Sequence, residues 1–362
     1  MMDFEQNKDV FGPVPVQGSA GSQRQGVGAI SDVVGHETTA RTSNKGTGWK
    51  IFCGVILAIS ILANMGLLLM LIVLIAIFGA RGDRLYSEAL IQDGPRSSKI
   101  VVVSIEGVIQ AEQAENVYKQ IREARSDRSV KGLILRINSP GGTISGSDGI
   151  YNEVCKYRKD TGKPVVAFMQ GVAASGGYYA SVGCDKIVAE PTALTGSIGV
   201  MMGHFVLEEL LEKKLGIRPV ILTEGRKKDW PSSFRAPSEE ELQYLREKVL
   251  SPAYERFVDV IAEGRSGLLT LEEVRQLADG GIVGAQEAMD KKLIDKIGYL
   301  DEAVEMSKSL AGIEEARVVE YHRVFSLSSI LSSKSADLLR LDRSKLYELG
   351  TPQILYLWGA YW

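Results

Sequence analysis

The sequence is poor in the residues that build most metal and redox sites. Cysteine occurs three times, as Cys53, Cys155 and Cys184, with no CxxC pair and no metal-ligand spacing. Cys53 lies in a long apolar run, so at most one disulfide could join the other two; both read better as small core residues. Histidine is equally scarce, with only His36, His204 and His322. That inventory excludes a histidine-rich metal site, and no cofactor is implied. Charge of one sign is not in excess either: 42 Lys and Arg stand against 45 Asp and Glu, a formal net charge of −3. No basic block stands out, so nucleic acid is not an expected partner. No internal repeat is visible.

What is present comes in distinct blocks. At 362 residues the chain has room for one large or two ordinary domains. Residues 1–49 are rich in Gly, Ser, Gln and Thr and carry no helical or strand period, as in a disordered tail. From Ile51 to Ala80 no charged residue appears. As a helix this run of about 30 residues would reach roughly 45 Å, while a bilayer core needs only about 20 residues. Ser60 and Asn64 do not make a polar face, so residues 50–80 read as one transmembrane helix. A cleaved signal peptide is the competing reading; its apolar part should be shorter and its leader should not run to about 50 residues. Lys45 and Lys50 before the span balance Arg81 and Arg84 after it, so the positive-inside rule gives no orientation.

After a linker at 81–97 the pattern becomes α/β. KIVVVSIEG, GLILRIN and PVVAFM are short β-branched runs, as expected of buried strands. Helical periods lie between them, at Gln113–Arg125 and Thr143–Arg158. DKIVAE, GSIGVMM and RPVILTEG read as further strands, with a helix at Leu207–Leu215. Alternation of this kind predicts a parallel, crossover-connected sheet. From Ser238, which opens a capping box with Glu241, the chain turns helical, with shorter helices near Thr270–Ala278 and Gly284–Lys291. The pattern supports one folded domain over 98–312. The extension 313–362 ends in ILYLWGAYW, which fits a strand, a packing arm or an occupant of a neighbouring groove.

Two glycine-rich turns follow predicted strands. NSPGG (Asn138–Gly142) follows GLILRI, and AASGGYYAS (Ala173–Ser181) follows PVVAFM. In the second, small residues flank Ser175, which permits a sharp strand-to-helix turn that exposes the hydroxyl and the next amide. A tetrahedral oxyanion needs two converging N–H donors; Gly176 can supply one and Gly142 the other. Taken singly, either string is more often a tight turn than a site. Together, each behind a strand of one α/β unit, they point to acyl-transfer chemistry at Ser175.

Such a serine needs a base. His204 is the one histidine in range, although a lone histidine is more often structural. The other option is a lysine, which must act as the neutral amine. Its ordinary pKa of about 10.4 must then be brought down by burial and neighbours worth about 4 kcal/mol. RPVILTEGRKKDW offers Lys227 and Lys228 just after a strand and its turn; on composition alone they could also be a solvated basic loop.

NSPGG, AASGGYYAS, LTGSIGV and EGRKKD, in that order, resemble the signal peptide peptidase A family of serine proteases. The resemblance covers about residues 97–312. It implies a ClpP/crotonase-like fold: a repeated ββα spiral core with C-terminal helices, here preceded by one transmembrane helix. It implies a Ser-Lys dyad, with the serine at Ser175 and the lysine at Lys228, which precedes Asp229 in a Gly-x-x-Lys-Asp pattern. The helper serine that holds the lysine amine falls on Ser197, and the oxyanion donors fall on Gly142 and Gly176. One copy of the motif set matches the short form of the family, which assembles into a homo-oligomeric ring, an octamer. The implied substrates are remnant signal peptides or other membrane-derived hydrophobic peptides. The implied location is the cell (inner) membrane, single-pass, with the catalytic domain on the extracytoplasmic side. Three other readings compete: a related Ser-Lys protease acting on membrane-protein tails, a crotonase-like acyl-CoA enzyme, and a non-catalytic scaffold.

Overall fold

The computed structural model describes residues 47–79, 86–323 and 353–359. Most of the predicted N-terminal tail, residues 1–46, lies outside them. The chain divides into two units, Met1–Ala80 and Arg81–Trp362. The first contains helix α1 (Thr47–Gly79). Its segment Gly48–Leu74 is long and apolar enough to cross a membrane, and none of it is buried in protein. A helix suits such a segment because it satisfies every backbone N–H and C=O internally. Its polar pair is also satisfied internally: Asn64 Nδ2 donates to the Ser60 carbonyl at 2.7 Å.

The second unit is α/β. In chain order it runs β1 (Tyr86–Gln92), β2 (Lys99–Glu106), α2 (Ala111–Ser126), β3 (Val130–Ser139), β4 (Gly141–Thr143), α3 (Ile144–Thr161), β5 (Val165–Ala174) and α4 (Gly176–Ser181). Strands β6 (Lys186–Ala189), β7 (Leu194–Gly196) and β8 (Met201–Gly203) follow, then α5 (Glu239–Leu245), α6 (Ser251–Gly264) and α7 (Leu271–Leu277). The chain continues through β9 (Ile282–Gly284), α8 (Ala285–Asp290), β10 (Lys296–Ile297), α9 (Leu300–Ala311), β11 (Arg317–Arg323) and β12 (Gln353–Leu357).

The main sheet has the order β1-β11-β2-β3-β5-β6-β10, with β7 on β5 and β9 on β7. All pairs from β11 to β10 along that path are parallel, and β1 closes the edge antiparallel to β11. Both faces are covered, which is why the central strands are apolar throughout rather than alternating. Val101, Val103, Leu133 and Leu135 join α2, α3 and α6 in one core. Ile100, Val102 and Ile134 meet Ala303 and Val304 of α9 in the other. The α/β core with C-terminal helices is the fold the sequence implies. The segment read as a linker contributes β1, and the C-terminal extension contributes β11 to the same sheet.

Two strand expectations change. GSIGVMM is not one piece: β7 ends at Gly196, whose φ of 83° and the φ of 48° at Ser197 turn the chain before β8 begins. RPVILTEG forms no strand. An extended run needs a neighbour for its backbone bonds, and among the described residues this one has none. Its Val220 and Leu222 are 80% and 91% exposed.

Candidate active site

The parallel strands β3, β5 and β7 end side by side. Ser139 pairs with Ala173, and Ala174 pairs with Gly196. Ser175 and Ser197 therefore leave neighbouring strands at the same level, with the NSPGG turn beside them. The C-terminal edge of a parallel sheet is where α/β folds bind ligands.

Ser175 is the elbow between β5 and α4. Its backbone has φ 51° and ψ −114°, a conformation a side-chain-bearing residue adopts only when its surroundings hold it there. The holding bonds are visible: the Ser175 amide donates to the Gly196 carbonyl at 2.8 Å, and the Tyr179 amide donates to the Ser175 carbonyl at 2.8 Å. The Gly176 amide belongs to the first turn of α4 and has no intrahelical acceptor. Residue 176 must be small, since a Cβ there would stand 2.3 Å from Ser147 Oγ.

Gly142 faces the same space. The Ile109 amide donates to the Gly141 carbonyl and the Thr143 amide to the Ile109 carbonyl, both at 2.8 Å. Amides alternate in direction along a strand, so the Gly142 N–H points away from Ile109, toward β12. A Cβ on Gly142 would lie 2.2 Å from the Ile109 carbonyl oxygen, which fixes glycine here by backbone contact.

The C-terminal strand lies across these turns. β12 pairs antiparallel with β4 on one side and β8 on the other: Tyr356 pairs with Gly142, and Leu355 pairs with Thr143 and Met201. The Trp358 amide donates to the Pro140 carbonyl at 2.8 Å. The Tyr356 carbonyl is packed against both glycine turns. A Cβ on Gly141 would meet it at 2.0 Å and the Gly176 nitrogen at 2.7 Å. The Tyr356 ring stacks on Tyr179 at 5.1 Å and packs against Phe257 at 4.7 Å. Its hydroxyl donates to the Ala253 carbonyl at 2.6 Å, and the Tyr179 hydroxyl donates to Asp148 Oδ1 at 2.5 Å. Burial pushes both phenols above their ordinary pKa, so both remain neutral donors. Of the terminal ILYLWGAYW, residues 354–359 are thus a strand and its exit in the chain's own groove; 360–362 lie outside the described residues.

The predicted residues are only partly brought together. Ser175, Ser197, Gly142 and Gly176 converge. Ser175 and Ser197 are 1% and 7% exposed, and neither hydroxyl makes a hydrogen bond among the described residues. Ser197 lines a cleft of about 420 Å³ with Tyr254, Asp279 and Trp358. Lys228 is exposed and its side chain has no partner among the described residues; the structure does not bond it to either serine. Lys227 is already engaged, its ammonium 3.8 Å from the Tyr244 ring centre and 5.2 Å from that of Trp230. His204 follows β8, and its Nε2 is buried without a hydrogen-bond partner among the described residues; it makes no hydrogen bond to Ser175. Among the described residues no cluster of three or more His, Cys, Asp or Glu could hold a metal ion.

Sequence reasoning missed Tyr179, Phe257 and Tyr356 as groove residues. Only the aromatic content of AASGGYYAS and ILYLWGAYW hinted at them. The partnership depends on β12 crossing from the far end of the chain.

Comparisons with known proteins place the chain among serine peptidases. The sequence model of peptidase family S49 matches residues 157–314, and that of Clp protease matches residues 93–193. The chain is similar to a protein of Enterococcus faecium described as a candidate signal peptide peptidase SppA: 36% identical over 302 residues, 77% of this chain and 86% of the relative. It is 35% identical to the chloroplastic serine protease SPPA of Arabidopsis thaliana over 235 residues, 64% of this chain and 34% of that one. It is 33% identical to Protease 4 of Haemophilus influenzae over 232 residues, 62% of this chain and 36% of that one.

Proposed function

The chain belongs to peptidase family S49, the signal peptide peptidases of the SppA type, and from that premise we propose that it cleaves membrane-derived peptides with Ser175 as nucleophile and Lys228 as general base. It is a serine peptidase of ClpP-like fold. In the proposed reaction the Lys228 amine takes the Ser175 proton as Oγ attacks the peptide carbonyl. The Gly142 and Gly176 amides bind the oxyanion. Lys228 then returns the proton to the leaving amine, and water releases the acyl group by the same route. Ser197 holds the amine within reach.

The observation that carries the reading is the strand slot between β4 and β8. A peptide there is held by main-chain bonds, as in other strand-adding peptide sites. β12 already occupies the slot as a substrate would, with the Tyr356 carbonyl against the two glycine turns. The pocket of Tyr179, Phe257 and the Ala253 carbonyl suits a large aromatic or apolar residue on the acyl side of the cut. Such residues abound in signal peptides, which is the substrate class proposed.

The base reaches the nucleophile from a second copy of the chain. Two buried serine hydroxyls have no partner among the described residues, the cleft at Ser197 has room for a side chain, and Lys228 is exposed without a partner. Shortly before Lys228 in the chain, the segment 215–222 presents Leu215, Ile217, Val220 and Leu222 to solvent, an apolar surface of the kind a subunit interface covers. A closed ring of copies supplies each site with its neighbour's lysine. Helix α1 anchors the chain in the cell membrane, with the peptidase unit on the extracytoplasmic side.

The test is hydrolysis of a fluorogenic hydrophobic peptide by the full-length enzyme in detergent. Ser175→Ala and Lys228→Ala each lower kcat by about 10³-fold or more, whereas Lys227→Ala and His204→Ala each retain most activity. Loss of activity in His204→Ala together with retention in Lys228→Ala would refute the dyad.

A further inference from the structure

Among the described residues, Lys228 is the unpartnered member of a run of four charged residues, Arg226, Lys227, Lys228 and Asp229. The other three are tied to α5 or to the turn that leads into it. Arg226 Nη2 bonds Glu240 Oε1 at 2.7 Å. The Lys227 ammonium sits on the Tyr244 ring, with Trp230 packed edge-on to the same ring at 5.6 Å. Asp229 Oδ2 accepts from Arg235 Nη2 at 3.0 Å and Nε at 3.3 Å. The Lys228 amide closes the turn on the Gly225 carbonyl at 3.0 Å. The backbone of the loop is fixed while one side chain is left to point outward.

These ties are not equal. Arg226–Glu240 is an exposed ion pair, a type that contributes little. Arg235 differs because its Nη1 also donates to Glu241 Oε2 at 2.6 Å, and Glu241 is fully buried. The other Glu241 oxygen is buried with no hydrogen bond among the described residues, although the Ser238–Glu241 capping pattern would have given it one; only the Ser238 half of the box forms. A buried carboxylate diverted from its helix cap and left half-satisfied costs stability. What the arrangement provides is one fixed geometry. The planar guanidinium reaches two carboxylates at once, which a lysine at 235 could not do, and it thereby locks Asp229 to the start of α5.

We propose that Arg235 is the positioning residue of the general base: through Asp229 and the buried Glu241 it sets the direction in which Lys228 leaves its loop. The proposal rests on Lys228 being the base. It assigns Arg235 no contact with substrate.

The test compares full-length wild type, Arg235→Met, Lys228→Ala and the double variant, with peptide turnover, residual hydrolysis of an activated ester and the melting temperature as readouts. Arg235→Met lowers kcat by about 30-fold, because misplacing a catalytic group by about an ångström costs up to two orders of magnitude. KM changes by less than about twofold, since no substrate contact is lost. In the Lys228→Ala background the same change alters the residual rate by less than about twofold, because the two residues act as one unit. The proposal fails if Arg235→Met keeps kcat within about twofold of wild type, or if it lowers the residual rate of Lys228→Ala by the same factor as it lowers wild type. If Arg235→Met does not fold, Asp229→Ala takes its place with the same expectations, since it removes the acceptor of the Arg235 bonds and leaves the Arg235–Glu241 pair intact. Wild-type turnover in Lys228→Ala overturns the underlying dyad; an inactive Lys228→Ala beside a fully active Arg235→Met overturns the positioning role alone.

Discussion

Ser175 and Ser197 both sit at positive φ, and both are held there by bonds between strand ends rather than by their own preference. The glycines beside them are fixed by contact. Gly142→Ala places a methyl 2.2 Å from the Ile109 carbonyl, so the turn must shift and carry its amide out of line. The expected result is a fall in kcat of about 100-fold with a stability loss of about 1–3 kcal/mol, read from turnover and from thermal melts. These residues were legible in the sequence because each belongs to a local string: strand, small residues, serine. The choice between Lys227 and Lys228 was not legible from spacing. The family resemblance put the base at Lys228, and the proposal keeps it there because Lys227 is engaged by Tyr244 and Trp230. Arg235 and Glu241 gave no signal either, because Ser238 and Glu241 look like an ordinary capping box until Arg235 is seen to take the carboxylate.

Helix α4 carries the elbow and is braced from behind by the chain between α6 and β10. The Tyr178 hydroxyl donates to the Leu293 carbonyl at 3.0 Å. Just beyond it, Asp295 accepts from Arg265 Nη1 at 2.8 Å, from the Ile187 amide at 2.8 Å and from Lys186 Nζ at 3.2 Å. Burial alone would raise the Asp295 carboxyl, but the bonds and charge of Arg265 outweigh it and hold its pKa below the ordinary range. A carboxyl whose folded pKa is depressed adds stability above its unfolded pKa of about 3.9 and loses it as pH falls toward the folded value. The melting temperature of wild type should therefore fall below about pH 4 more steeply than that of Asp295→Asn. At neutral pH, Arg265→Met should cost about 3–5 kcal/mol, because it leaves Asp295 buried without its guanidinium. β12 is the other element with a consequence. A chain ending at residue 352 has an open slot between β4 and β8, so its KM for peptide should be lower than that of the full chain, measured at equal site concentration. The strands of the main sheet were readable as β-branched runs; β12 was not resolved from other fates of an apolar tail, because its partners lie 150 to 216 residues away in sequence. RPVILTEG shows the converse: a strand-like composition does not make a strand without an edge to join.

At the scale of the whole molecule, the proposed reaction gives one chain the nucleophile, the oxyanion donors and the peptide slot, and has it present the base outward, where Lys228 is exposed. A mixing experiment tests that division. Ser175→Ala and Lys228→Ala chains, each inactive alone, are combined in equal amounts, dissociated and allowed to reassemble, and peptide hydrolysis is measured. If each site takes its serine from one copy and its lysine from the next, random reassembly restores both groups in roughly a quarter of the sites, so about a quarter of wild-type activity returns. If the mixture stays as inactive as its parents while a wild-type control survives the same treatment, the lysine is not supplied across the interface and the account is contradicted.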